Sequence, residues 1–191
     1  MVVIQLILFI VGVFFADLLS GGVLNGLFAM TPSHLLTEPW TIITSMFLHG
    51  NFLHLFFNMF GLFMFGPFLE AKVGGRNLLI LFFACGILGN MGYAVTSGFG
   101  NVPVIGASGA IYGILGALAI LQPNLMVFVG FIPMPIYIAA VFWFFAEFAY
   151  GITGVQQGIA NFAHLFGLFG GLIAGKFFRK ELVTKGSWLN D

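Results

Sequence analysis

Residues 106–121 read GASGAIYGILGALAIL. Beyond Ser108 the stretch holds no charge and one polar side chain, Tyr112. It falls short of the roughly 17–25 residues a helix needs to cross a bilayer, and the turn pair Gln122-Pro123 stops it. A short apolar helix suits the inside of a helix bundle, where its start is sheltered from lipid. Gly109, Gly113 and Ala117 fall four apart and form a ridge on which another helix backbone can come close.

The rest of the chain fits that placement. Of its 191 residues 60% are hydrophobic and 6% charged, against about 25% charged in average globular domains. A soluble domain so poor in charge would expose apolar patches and associate. The expected architecture is an all-α membrane protein, one domain over 1–191, with six transmembrane helices near 2–19, 51–69, 77–96, 107–121, 125–150 and 159–178. The first stretch has no charged leading region and no small-residue cleavage site, so it reads as a retained span. Zero net charge argues against a nucleic-acid partner. The single cysteine, Cys85, allows no intrachain disulfide and reads as a buried hydrophobe.

Six cations orient the bundle. Lys72 and Arg76 fall between spans two and three; Lys176, Arg179, Lys180 and Lys185 fall at or after the end of span six. The opposite loops, about 20–50, 97–106 and 151–158, have no Lys or Arg. The positive-inside rule then places both termini in the cytoplasm. The long first outer loop is rich in apolar residues, among them Val23, Leu27, Phe28 and Trp40. That composition predicts an ordered segment in the membrane interface.

Polar groups within spans are expensive and need explaining. His49, His54 and Asn58 open span two, with His54 and Asn58 on one helix face. They read as interhelical hydrogen bonding, as parts of a site, or, least well for want of a nearby carboxylate or thiolate, as metal ligands. Ser108, flanked by Gly106 and Gly109, opens span four. A helix start offers free N–H groups to a developing oxyanion, but serine there also serves as a plain cap. His164 lies near the outer end of span six, either as a packed neutral imidazole or as a functional group. All three clusters fall toward the outer half of the bilayer. Span six carries its own ridge, Ala163, Gly167, Gly171 and Gly175. If the two ridges pack, Ser108 and His164 meet near the outer face, at the about 2.6–3.2 Å that a nucleophile and its base require. Glu147, on span five, either reaches the outer interface or bonds to a loop and influences it.

The set His49-Gly50-Asn51-Phe52-Leu53-His54 with Asn58, Gly106-Ala107-Ser108-Gly109, and Ala163-His164-Leu165-Phe166-Gly167 with Gly171 resembles the rhomboid intramembrane proteases over nearly the whole chain. Trp40 and Glu70 also match family positions. The resemblance implies an intramembrane serine endopeptidase that needs no cofactor or metal and acts on single-span membrane proteins among lipids. It implies Ser108 as nucleophile and His164 as base, in a dyad without a third carboxylate. It implies His54, Asn58 and the Ser108 N–H as the oxyanion hole, with Tyr112 stacked on His164. His49 would sit by a water-access cavity, and Gly106 and Gly109 would support the serine. Span five would act as a lateral gate, and the site would open to the outer side of the cell membrane. One departure is Thr41, where family members often carry Arg after the loop tryptophan. The form resembled is the minimal six-span one, without a soluble N-terminal domain. Inactive relatives such as the derlins lack the nucleophile or the base; both are present here. The competing classes are a transporter, for which repeated halves and midplane charge are missing, and a non-catalytic chaperone on the same fold.

Overall fold

The computed structural model describes residues 1–154 and 160–184. The expected start of span six at 159, most of the loop 151–158 and Lys185 lie outside the described residues. The chain runs α1 (Val2–Leu19), α2 (Val23–Phe28), α3 (Thr41–Thr44), α4 (Phe52–Val73), α5 (Gly75–Thr96), α6 (Ser108–Leu121), β1 (Met126–Val129), β2 (Ile132–Pro135), α7 (Ile136–Thr153) and α8 (Asn161–Thr184). Four of these, α1, α4, α5 and α7, are long and apolar enough to cross a membrane. The protein is thus an integral, multi-pass helical membrane protein. The helix α6 is a shorter apolar one, and α8 carries Asn161, His164 and Lys176 within its apolar stretch.

Local chemistry sets the ends. Asn51 caps α4 by accepting the His54 N–H at 2.8 Å, satisfying one donor that a helix start leaves free. Gly74, at φ +80°, breaks α4 from α5, so α4 runs on past the expected end at 69 and includes Glu70. That carboxylate accepts the N–H groups of Val2 and Val3 at 2.8 and 3.0 Å, capping α1 and setting it antiparallel to α4. The stretch expected to begin span five is not helical. Residues 126–135 form an antiparallel hairpin turning at Gly130, φ +62°. Pro133 and Pro135 lack the amide hydrogen a helix interior needs and push their predecessors toward extended backbone, so α7 starts at Ile136.

The core surrounds α6, which is almost wholly buried among α4, α5, α7 and α8. Its tightest partner is α8, running parallel to it. A Cβ at Gly167 would fall on the Gly109 carbonyl oxygen, and one at Gly171 on that of Gly113. One at Gly175 would stand 2.9 Å from the Ala117 oxygen. The two ridges read from the sequence therefore face each other backbone to backbone. Ser108 and Asn161, the first residues of α6 and α8, come to the same end of the bundle. The described cations Lys72, Arg76, Lys176, Arg179 and Lys180 gather at the other end.

The loop before α6 is held from two sides. Met30 and Val104 exchange backbone hydrogen bonds at 3.2 and 2.9 Å, and the Gly106 N–H donates to the Ser45 carbonyl at 2.9 Å. Ser45 is itself anchored by buried Asn90 of α5, whose Nδ2 reaches Ser45 Oγ at 3.0 Å and the Ile42 carbonyl at 2.8 Å. The long loop between α1 and α4 thus forms a clamp on the segment that presents Ser108.

Candidate active site

Ser108 is the first residue of α6, so its own N–H and the next two are among the donors without a partner inside the helix. Its Oγ lies 2.7 Å from His164 Nε2. The two residues are 56 apart in sequence and meet because the glycine seam draws their helices together. The Tyr112 ring, one turn along α6, stacks on the imidazole with centroids 4.5 Å apart and planes 4° from parallel. This stacking fixes the ring plane, so Nε2 points at the serine.

On the other side stand His54 and Asn58 of α4. Gly106 has φ +119°, in the region that favours glycine, and a Cβ there would stand 2.8 Å from His54 Nε2 and 3.9 Å from Ser108 Oγ. Both the turn and the space therefore require glycine. Asn58 Nδ2 donates one hydrogen to the His54 carbonyl at 2.9 Å; an amide nitrogen has a second to give. His49 lies in the loop ahead of α4, 2% exposed, its ring 4.9 Å from that of His54. Burial foremost, then the neighbouring His54 ring, lowers its pKa from 6.5 to about 4, against a small opposite pull from the Phe47 backbone. Gly109 packs tightly against two helices, its Cα 3.5 Å from where a Cβ on Gly89 of α5 would lie and its carbonyl oxygen where a Cβ on Gly167 of α8 would fall. His54, Asn58, Ser108, Tyr112 and His164 all line one cleft of about 910 Å³. Trp40 is half-exposed, away from that cleft.

Two residues are placed where the sequence did not put them. Glu147 of α7 is buried, not at an interface, and its Oε1 lies 3.1 Å from His164 Nδ1. The same oxygen accepts the Tyr112 hydroxyl at 2.5 Å, and Oε2 accepts Asn161 Nδ2 at 2.6 Å. The resemblance implies a dyad with no carboxylate beside it; here a carboxylate stands behind the imidazole. Asn161 escaped notice altogether, although a buried amide at a span's start is a signal of the same kind as His164.

Residues 36–181 match the rhomboid domain. The chain belongs to the rhomboid family. This rhomboid is 37% identical over 138 residues to the protein named "Putative rhomboid protease YdcA" of Bacillus subtilis, covering 71% of this chain and 65% of that one. It is 33% identical over 138 residues to rhomboid protease GluP of the same organism, covering 72% of this chain and 25% of that one. It is 34% identical over 90 residues to "Inactive RHOMBOID-like protein 8" of Arabidopsis thaliana, covering 47% of this chain and 24% of that one. The chain thus spans less than two thirds of the length of these relatives. Active and inactive rhomboids both fall within this range of likeness, so activity turns on the site itself.

Proposed function

We propose that this rhomboid is an intramembrane serine endopeptidase with Ser108 as nucleophile and His164 as general base. The observation that carries the reading is the 2.7 Å approach of Ser108 Oγ to His164 Nε2 at a helix start facing a cleft. A serine that merely caps a helix has no need of an imidazole, and a merely packed histidine has no need of a hydroxyl at a start rich in free amides.

The chemistry follows from the positions. The Oγ proton passes to Nε2 as Oγ bonds to the scissile carbonyl carbon and the carbonyl π pair moves to oxygen. The oxyanion forms beside the Ser108 N–H, with the free Asn58 amide hydrogen and His54 as further donors; each such donor is worth about 10²–10³ in rate. The C–N bond then breaks, and the leaving amine takes the proton from Nε2. Water reverses the sequence: Nε2 takes its proton, its oxygen attacks the ester carbonyl, and the released serine regains a proton from His164.

The substrates on this reading are single-span membrane proteins with small, helix-breaking residues near the site end, since a scissile carbonyl must leave its helix to be attacked. The helices α6 and α8 join the four long ones to make six spans in one domain. The end that collects the cations faces the cytoplasm with both termini, in the cell membrane, and the cleft opens to the outer side. The test is covalent labelling of the purified protein by a fluorophosphonate, beside Ser108→Ala and His164→Ala. Labelling lost in both variants, each unfolding thermally like the wild type, is expected. A well-folded wild type that neither labels nor cleaves a transmembrane substrate overturns the proposal in favour of a scaffold or chaperone.

A further inference from the structure

Behind the imidazole lies the group the serine–histidine reading leaves unused. Glu147 is 8% exposed, on a helix that crosses the membrane, where an ionisable side chain needs a specific reason. Three donors from the described residues surround it. Tyr112 Oη donates to Oε1 at 2.5 Å, Asn161 Nδ2 donates to Oε2 at 2.6 Å, and His164 Nδ1 stands 3.1 Å from Oε1. Among the described residues the hydrogen-bond partners of both oxygens are donors, which is the environment of a carboxylate and not of a carboxylic acid. The Nδ1 contact is bent away from a linear hydrogen bond, as catalytic contacts often are before substrate arrives.

The arrangement also favours one tautomer. If Nε2 is to receive the serine proton, Nδ1 must carry the ring hydrogen, and Oε1, 3.1 Å away, stands where it can accept it. Tyr112 ties the same elements twice, its ring on the imidazole and its hydroxyl on the carboxylate. Ring plane, tautomer and counter-charge are thus set by α6, α7 and α8 together.

We infer that Glu147 is the positioning residue of the pair, completing a Ser108–His164–Glu147 relay across three helices; the inference rests on the protease reading above. When Nε2 takes the serine proton the ring becomes cationic, and the carboxylate holds that charge through Nδ1–H. Glu147 itself gains no proton. The relay has the logic of a serine, a histidine and an orienting carboxylate, with the acid supplied by a neighbouring helix. It also means that α7 cannot swing outward at this level without taking the counter-charge from His164.

The experiment compares wild type, Glu147→Gln and Glu147→Asp in the same detergent. It measures kcat and KM on a transmembrane peptide, the rate of fluorophosphonate labelling, and thermal unfolding. Removing an orienting carboxylate drops kcat by about 10⁴ where the geometry is ideal. Here the contact is bent and Tyr112 still holds the ring plane, so a fall of about 10² in Glu147→Gln is expected. Labelling should slow in parallel, with KM within about threefold and unfolding little changed, and Glu147→Asp should recover part of the rate. Wild-type kcat and labelling in Glu147→Gln overturn the inference. So does a change confined to KM with labelling intact, which makes Glu147 a latch on substrate entry, and so does an aspartate no better than glutamine. Nitrogen-15 NMR of the histidines separates this result from the activity question. If the wild type neither labels nor cleaves, the protease reading fails. Nδ1–H on His164 in the wild type, scrambled in Glu147→Gln, still upholds the positioning; a ring protonated on Nε2 in the wild type removes it.

Discussion

The two walls of the cleft are built on opposite terms. Along α6 and α8, backbone meets backbone through Gly167 and Gly171, and the serine, imidazole, phenol, carboxylate and amide at the top are linked in one network. Along α4 the polar atoms are left waiting. Asn58 Oδ1, and in the loop ahead of α4 both ring nitrogens of His49, which lines a neighbouring hollow, are buried without a well-formed hydrogen bond to a described residue. Buried polar atoms are almost always satisfied, so on the proposed reading these are the atoms open to water or substrate. On the proposed reading the difference divides the work: one wall is preorganised and need not move, whereas the other receives whatever enters. An enzyme that does hydrolysis inside a bilayer needs both, because the pair must be aligned and water must still arrive.

The sharpest way to break that contrast is to force the preorganised wall apart. In Gly171→Val the new Cβ would fall on the Gly113 carbonyl oxygen. The obstacle is backbone, which cannot turn aside as a side chain can, so the helices must separate. A misplacement of about 1 Å at reacting groups costs about 10² in rate, and a rigid clash moves them further. Cleavage should fall by about 10³, with a loss of thermal stability of up to about 3 kcal/mol from overpacking. Assays of cleavage and unfolding side by side check this. A variant that unfolds earlier yet cleaves normally would mean that the seam supports the fold without setting the Ser108–His164 distance.

On the receiving wall, Asn58→Ala removes a donor but leaves the seam alone. The expected loss is about 10² in kcat, with unfolding close to that of the wild type, since the one protein hydrogen bond lost is to the His54 carbonyl on the same helix. Fluorophosphonate labelling should slow with it, because the phosphonyl oxygen occupies the same hole. A fall in stability as large as that of Gly171→Val would erase the distinction between the walls.

How far the sequence reached follows the same division. The seam was legible because small residues four apart on two spans are a periodic pattern, and Ser108 and His164 stand beside it. Helix ends were legible to within a few residues where a cap or a glycine marks them, as Asn51 and Gly74 do. The hairpin 126–135 was not, because hydropathy does not distinguish an apolar strand from an apolar helix; Gly130, Pro133 and Pro135 were the signal that outweighs it. Nor was the place of Glu147, because spacing along one helix says nothing about which neighbour that face meets. The clamp from Asn90 through Ser45 to Gly106 was hidden for the same reason, being made of contacts between segments 45 and more residues apart.

The smallest effect at neutral pH should come from His49, and its pH dependence sharpens the contrast most. The ring is buried and its pKa is lowered to about 4 by burial and by His54. Asp17, which lines the same hollow as His49, offers no relief, since its carboxylate is taken by the backbone and side-chain amides of Asn25. Between the unfolded value of 6.5 and about 4 the unfolded chain therefore binds the proton that the folded one refuses. Stability contributed by neutral His49 is full above pH 6.5, declines as the pH falls through that window, and levels off below it. Linkage sets the limit at about 3 kcal/mol. Thermal unfolding from pH 7 to pH 4 should thus show a smaller decline in His49→Gln than in the wild type, the difference isolating this one ring from the other histidines. Parallel declines would mean that water reaches His49 well enough to let it charge in the folded protein, and the hollow beside the cleft would then be wetter than its burial implies.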